Sequence, residues 1–290
     1  MNIALLCSGN LGFELLKFVN SKQMNIQCVL TDSKSLEIIR YAKENKFSLY
    51  IGNPRKGKAY NALGHLKIDV LLSINYLFLI EKDLIDWPKS IAVNIHGSLL
   101  PKYRGRTPHV WAIINGEEKA GITLHEISIG CDTGAIIEQL EITISPEMTG
   151  AELLKLYSDY YSKLVDKFFQ QLTDSSVIKK TQDESKATYF GERTPDLGQI
   201  NWNWSRFRIV NWIRAQSNPY PGAFSYIDNI KITIDKVKVS DKGFDYRMPN
   251  GMILSENPIM VKCPDGVMQI LTIRNHQSIK SIKANKVFDI

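Results

Sequence analysis

Residues 2–20 read NIALLCSGNLGFELLKFVN: an apolar run stops at the turn residues Ser8, Gly9 and Asn10, and apolar positions then recur at helical spacing. The order is strand, turn, helix. It recurs as IQCVLTD (26–32), SLEIIRYAKENK (35–46), FSLYIG (47–52), a Lys-rich helical stretch ending near His65, and IDVLLSINY (68–76). Strands that are apolar on both faces and alternate with amphipathic helices need cover on both sides, so a mostly parallel sheet between two helical layers is expected. SIAVNIH (90–96), AGITLHEIS (120–128) and GAIIEQLEITI (134–144) read as further strands, and TGAELLKLYSDYYSKLVDKFFQQL (149–172) as a long helix that Thr149 is placed to cap.

Beyond about residue 200 the pattern changes. One helical stretch, SRFRIVNWIRAQ (205–216), precedes short strands in PYPGAFSYI, KITIDKVKVS, GMILS, IMVKC and MQILTI, divided by Gly, Pro, Asn and Asp. The expectation is an α/β domain over residues 1–200 and a smaller, mostly β domain over 201–290. Trp202, Trp204 and Trp212 are read as core of the second domain.

Of 290 residues, 44% are hydrophobic and 23% charged, which excludes a disordered chain. The net charge of +6 lies wholly in residues 201–290, where 13 Lys and Arg face 7 Asp and Glu. Scattered in this way, the cations read as a solvated surface; a nucleic-acid face is the alternative. Cys7, Cys28, Cys131 and Cys263 stand far apart without a Cys-x-x-Cys pair, the pattern of free thiols in a reducing compartment. The first residues carry no basic leader or cleavage site, and no apolar run approaches the roughly 20 residues that span a bilayer. A cytoplasmic protein is expected.

The first turn has Gly9 and Gly12 but lacks the Gly-x-Gly-x-x-Gly spacing of a dinucleotide site. It is either a tight strand-to-helix turn or a helix amino terminus that offers N–H groups to a ligand. The chemistry concentrates later, in NIHGSLLPKYRGRTPHVW (94–111). Alternation along a strand puts Asn94 and His96 on one face, about 6 to 7 Å apart, at the carboxyl end where parallel sheets hold ligands. A neutral imidazole accepts a proton and an amide N–H holds an oxyanion, a pair suited to acyl transfer. A carboxylate that orients the imidazole would complete it, and Asp132 in SIGCDTGAI (128–136), between Gly130 and Gly134, is the candidate.

NIHGSLLPKYRG with its later Asp-x-Gly resembles the signature of the 10-formyltetrahydrofolate-dependent formyltransferases. The resemblance implies a Rossmann-like catalytic domain in which Asn94 steadies the oxyanion, His96 shuttles the amine proton and Asp132 raises the His96 pKa. It further implies a folate site along Phe78, Leu79 and Ile80 of INYLFLI, along Ser128, Ile129, Gly130, Cys131 and Asp132, and at Arg106. YFGERTPDLGQINWNWS (189–205) and IRAQSNPYPGAFSYI (213–227) resemble the carboxyl-terminal segment shared by methionyl-tRNA formyltransferases and the enzymes that formylate nucleotide-linked amino sugars. The last 90 residues count against a glycinamide ribonucleotide formyltransferase. TDSKSLEIIRYAKENK (31–46), without a basic insertion, counts against the tRNA branch.

The implied activity is formylation of a nucleotide-linked amino sugar, with dTDP-4-amino-4,6-dideoxyglucose for O-antigen or lipopolysaccharide as first expectation. UDP-4-amino-4-deoxyarabinose and methionyl-tRNA are the alternatives. An inactive folate or nucleotide-sugar binding protein is the non-enzyme reading. On this view Lys102 and Arg104 are candidate phosphate ligands, Asn10 meets the sugar, Tyr220 stacks on the base, and the protein is a homodimer without a metal.

Overall fold

The computed structural model describes residues 1–289, and the side chains of all of these but 276–278. Strand β1 (Asn2–Cys7) leads into α1 (Gly9–Ser21), followed by β2 (Asn25–Thr31), α2 (Leu36–Glu44), β3 (Ser48–Ile51), α3 (Lys58–Leu63), β4 (Val70–Ile74), α4 (Lys82–Ile85) and β5 (Ile91–His96). These five strands pair in parallel in the order β3-β2-β1-β4-β5. The order reverses between β1 and β4, the switch point at which open α/β sheets bind ligands.

Burial on both strand faces explains the layering. Every residue from Ile3 to Cys7 is fully buried. Ala4 and Leu6 join Cys28, Leu30, Leu71, Ala59, Leu63 and Leu84 in one apolar cluster, which lays α3 and α4 on that face. Cys7 points to the opposite face, where α1 comes so near that a Cβ on Gly12 would lie 2.8 Å from the Cys7 Cβ. Gly12 therefore serves helix packing.

The chain continues through the two-residue strand β6 (Arg104–Gly105), α5 (Pro108–Ile114), β7 (Lys119–Glu126), β8 (Ile136–Thr143) and α6 (Gly150–Thr173). β7 joins the sheet antiparallel to β5, and β8 completes it as the seventh strand. Thr149 caps α6 as expected: its Oγ1 accepts the Glu152 N–H at 3.2 Å while the Glu152 carboxylate accepts the Thr149 N–H at 2.8 Å. β9 (Tyr189–Phe190) pairs with β6 across 85 residues of chain, a two-stranded piece too short to carry a sequence pattern.

After α7 (Arg206–Ala215), strands β10 (Ala223–Ile227), β11 (Ile230–Ser240), β12 (Ile253–Glu256), β13 (Ile259–Cys263) and β14 (Gly266–Ile273) form an antiparallel sheet in the order β10-β11-β14-β13-β12. Trp202 is buried beneath it, stacked on Phe288 with its indole N–H on Ser225 Oγ at 3.1 Å. Trp212 donates to the Gly198 carbonyl at 3.1 Å and meets Trp204 edge-on. Trp202 and Trp212 are core, as their sequence context indicated, while Trp204 is only half-buried.

Two compact units result: Met1–Gly105, Gly121–Ile142 and Leu156–Phe190 in one, Arg106–Ala120, Thr143–Lys155 and Gly191–Ile290 in the other. This differs from a single cut at residue 200, because α5 packs on α7 and the Ser145 and Met148 carbonyls bind Arg214. Among the described residues no helix is long and apolar enough to cross a membrane.

In the second unit, His109 of α5 is buried and shares a 2.9 Å hydrogen bond with the Tyr220 hydroxyl. Burial lowers its pKa to about 4. The unfolded chain takes up this proton near 6.5, so the contribution is present above that pH and is lost as pH falls toward 4, on the order of 3 kcal/mol in all. Urea midpoints measured from pH 8 to 4 should fall more steeply for the native protein than for His109→Phe; parallel curves would contradict this.

Candidate active site

The alternation of β5 places Asn94 and His96 on one face, and the antiparallel register sets His125 opposite Asn94 and Thr123 opposite His96. Asn94 Nδ2 lies 3.2 Å from His125 Nε2, while His125 Nδ1 lies 2.7 Å from the Glu126 carbonyl oxygen. A carbonyl can only accept, so Nδ1 carries the proton and Nε2 accepts from the Asn94 amide. That fixes the amide's orientation, with its oxygen turned away from His125. Among the described residues the second Asn94 N–H has no protein partner.

The same reasoning assigns the tautomer of His96. Its Nε2 lies 2.7 Å from the Tyr103 carbonyl oxygen and must donate, which leaves Nδ1 as the basic nitrogen, 3.5 Å from Asp132 Oδ2. Burial lowers the His96 pKa, an effect that the Asp132 charge and the Tyr103 carbonyl partly oppose and His125 reinforces. The imidazole is therefore neutral near pH 7, with a vacant site for a proton beside a carboxylate.

Asp132 reaches that position through a loop that leaves and re-enters the sheet at one point. The Ile127 N–H binds the Ala92 carbonyl and the Glu126 N–H binds the Ala135 carbonyl, both at 2.9 Å. The return is so close that a Cβ on Gly134 would lie 1.9 Å from the Glu126 carbonyl oxygen. Ser128 Oγ and Thr133 Oγ1, 2.7 Å apart, close the loop, and Asp132 sits within it at φ +53°. Its carboxylate accepts the Gly105 N–H at 2.9 Å, and its other oxygen is 3.6 Å from His125 Nε2. Burial alone would raise its pKa, but His96 and His125 in their protonated forms, together with the Gly105 N–H, hold it well below the usual carboxylate range. Asp132 is thus ionised at neutral pH.

Three of the expected site residues, Asn94, His96 and Asp132, are accordingly brought into one cluster of the first unit. The sequence reading missed His125, which only the β5–β7 register reveals. It also missed Gln182, whose Nε2 donates to the Asp132 and Gly134 carbonyls, each at 2.7 Å.

The expectation for Arg104 is corrected. Its side chain is fully buried, and the guanidinium donates to Gln182 Oε1, to both Glu184 carboxylate oxygens and to the Tyr189 hydroxyl, so it is an internal tie and not a phosphate ligand. Lys102 is exposed, its carbonyl accepting the Ser98 hydroxyl at 2.6 Å. Asn10 is exposed on the first turn of α1, where the neighbouring Gly9 N–H is held by Ser35 Oγ at 2.9 Å. Tyr220 lies in the second unit, half-buried, with its hydroxyl hydrogen-bonded to His109 at 2.9 Å. Arg106 is exposed and opens a segment of that same unit.

The residues expected to border a folate occupy two loops. Phe78 packs edge-on to Tyr76 at 5.5 Å, Leu79 is exposed, and Ile80 rests against the apolar cluster under the sheet. Ser128 is half-buried, Ile129, Gly130 and Cys131 are exposed, and the Cys131 thiol lies 3.5 Å from Asp132 Oδ2. A neutral base next to an ionised carboxylate, with an oriented amide beside it, is equipped to deprotonate a nucleophile and stabilise an oxyanion.

Residues 1–165 match the formyl transferase family, and residues 193–288 match its formyl transferase, C-terminal domain. The bifunctional polymyxin resistance protein ArnA of Wigglesworthia glossinidia brevipalpis is 33% identical over 304 residues, covering 98% of this chain and 44% of that protein. The chain therefore spans less than half the length of this curated relative. Two solved structures share the fold over nearly their whole length. An N-formyltransferase from Helicobacter canadensis, in complex with folinic acid and dTDP-3-aminofucose, superposes with a TM-score of 0.73 at 24% identity, covering 94% of this chain and 98% of its own. WlaRD, a sugar 3N-formyl transferase solved with dTDP and 5-N-formyl-THF, gives 0.72 at 23% identity, covering 95% and 98%. A 4-N formyltransferase from Francisella tularensis gives 0.64 at 19%, covering 80% and 96%. By its matched domains, the chain belongs to the formyl transferase family.

Proposed function

We propose that the protein transfers a formyl group from 10-formyltetrahydrofolate to the amine of a nucleotide-linked amino sugar. The observation that carries this reading is the basic Nδ1 of His96, set 3.5 Å from an ionised Asp132 with the Asn94 amide on the same strand face. His96 Nδ1 takes the proton of the attacking amine as the new C–N bond forms. Asn94 donates its remaining N–H to the oxyanion of the tetrahedral intermediate. The protonated His96, stabilised by Asp132, then gives the proton to the departing folate nitrogen as the old C–N bond breaks, so base and acid are the same group.

The acceptor class is supported by structural neighbours described as sugar 3N- and 4-N formyltransferases. We take dTDP-4-amino-4,6-dideoxyglucose as the first candidate acceptor. The 33% identity with the Wigglesworthia protein favours UDP-4-amino-4-deoxyarabinose as the second reading.

Three measurements bear on this. His96→Gln and Asn94→Ala should each lower kcat by about 10²- to 10⁴-fold while retaining a cooperative thermal transition, read as the formyl mass increment on the acceptor; near-normal turnover by either would reject the assignment. The rate should fall in acid as His96 Nδ1 protonates, with a midpoint below the ordinary histidine value of about 6.5. Because Asp132 raises the His96 pKa, Asp132→Asn should move that midpoint further down while reducing kcat; an unmoved midpoint would break the coupling. Offered dTDP- and UDP-linked 3-amino and 4-amino sugars alongside initiator methionyl-tRNA, the enzyme should formylate a sugar, and formylation of the tRNA alone would overturn the acceptor class.

A further inference from the structure

Segment 180–190 has no place in the chemistry above, yet it binds the Asp132 carbonyl on one side and, on the other, Tyr103 and Arg104, next to the groups that hold His96 and Asp132. Lys180 exchanges two 2.8 Å backbone hydrogen bonds with Ile136, which ties the start of the segment to β8. At its other end, Thr188 accepts the Arg104 N–H with its carbonyl at 2.8 Å and the Tyr103 N–H with its Oγ1 at 2.8 Å. Tyr103 in turn supplies the carbonyl that holds His96 Nε2, and Gly105 the N–H that holds the Asp132 carboxylate. Gly105 has φ +102°, and a Cβ there would lie 2.4 Å from the Phe190 carbonyl oxygen, so β6 and β9 meet too closely for any other residue.

Between these anchors, Gln182 bridges Arg104 to the Asp132 loop. Both of its ends are buried. Guanidinium has five donors and no acceptor, so only the amide oxygen can face Arg104, which donates to it from Nε at 3.2 Å and Nη2 at 2.7 Å. The amide nitrogen is thereby forced toward Asp132 and Gly134, whose carbonyls it binds together. Asp132 holds a left-handed backbone conformation at φ +53°, and Gln182 pins its carbonyl and that of Gly134 two residues later.

We infer that Gln182, oriented by Arg104, is a positioning residue that fixes the Asp132 carboxylate against His96 Nδ1. This rests on the catalytic reading given above. Groups facing the imidazole are Asp132 and His125, with the Tyr103 carbonyl at its far nitrogen, so movement of the Asp132 loop changes the one ionised neighbour of His96.

Two variants of the full chain test it. Gln182→Met removes both donors without adding charge; Gln182→Glu keeps the volume and the pairing with Arg104, which favours folding, but offers no N–H to Asp132 and Gly134. Both should lower kcat by about 10- to 100-fold with KM for acceptor and folate changed less than about twofold. In Gln182→Met the His96 imidazole, followed by NMR without any substrate, should titrate at lower pH than in the native protein. Turnover by a folded variant within about twofold of native, or an unmoved His96 titration in Gln182→Met, would overturn the inference. Should the native protein transfer no formyl group, the catalytic reading fails, while the substrate-free titration still decides whether Gln182 sets the Asp132–His96 contact.

Discussion

The antiparallel pairing of β5 with β7 is the constraint on which the site depends. Five parallel strands bring Asn94 and His96 to the carboxyl edge of a buried sheet, but a strand running the other way is needed to place His125 beside Asn94. β7 ends level with Val93, and the chain must then return toward His96. The excursion of residues 127–134, closed at its base by the Glu126–Ala135 hydrogen bond, makes that return and sets Asp132 within it. Gly134 is required because the two limbs of the loop pass within van der Waals distance of each other.

Electrostatics then follow from geometry. Two imidazoles and a carboxylate share a small buried volume, where an unpaired charge is costly and a paired one is stabilised. Burial disfavours the protonated form of His96; the adjacent Asp132 charge limits this without reversing it, so the imidazole stays a neutral base that still takes up a proton. The tautomers are set by backbone carbonyls, Tyr103 for His96 and Glu126 for His125, each occupying the nitrogen that the cluster does not use. Main-chain groups thus determine which side-chain atoms remain available, a task suited to them because they are fixed by the fold.

The chain's cations show how far residue type alone misleads. Arg104, in a polar loop rich in Lys and Arg, looks like a ligand for phosphate. Its burial makes this untenable, since a guanidinium removed from water must satisfy its donors internally, as it does with Gln182, Glu184 and Tyr189. Those partners lie about 80 residues away in the chain, in a segment with no periodicity to mark it.

By itself the sequence determined the alternation of strands and helices, the parallel core, the β-rich second part, the Thr149 cap and the shared face of Asn94 and His96. These are consequences of periods of 2 and 3.6 residues and of turn and cap chemistry, all of which act over a few positions. The joining of Asp132 to His96 was legible from a motif, not from spacing. Only the tertiary structure decided that His125 stands against Asn94, that β6 pairs with β9, that α5 and residues 143–155 belong with the second sheet, and that Arg104 and Gln182 tie the Asp132 loop from beneath. Each of these joins residues distant in the chain through strand register or buried hydrogen bonds, and such contacts exist only once the backbone has brought their partners together.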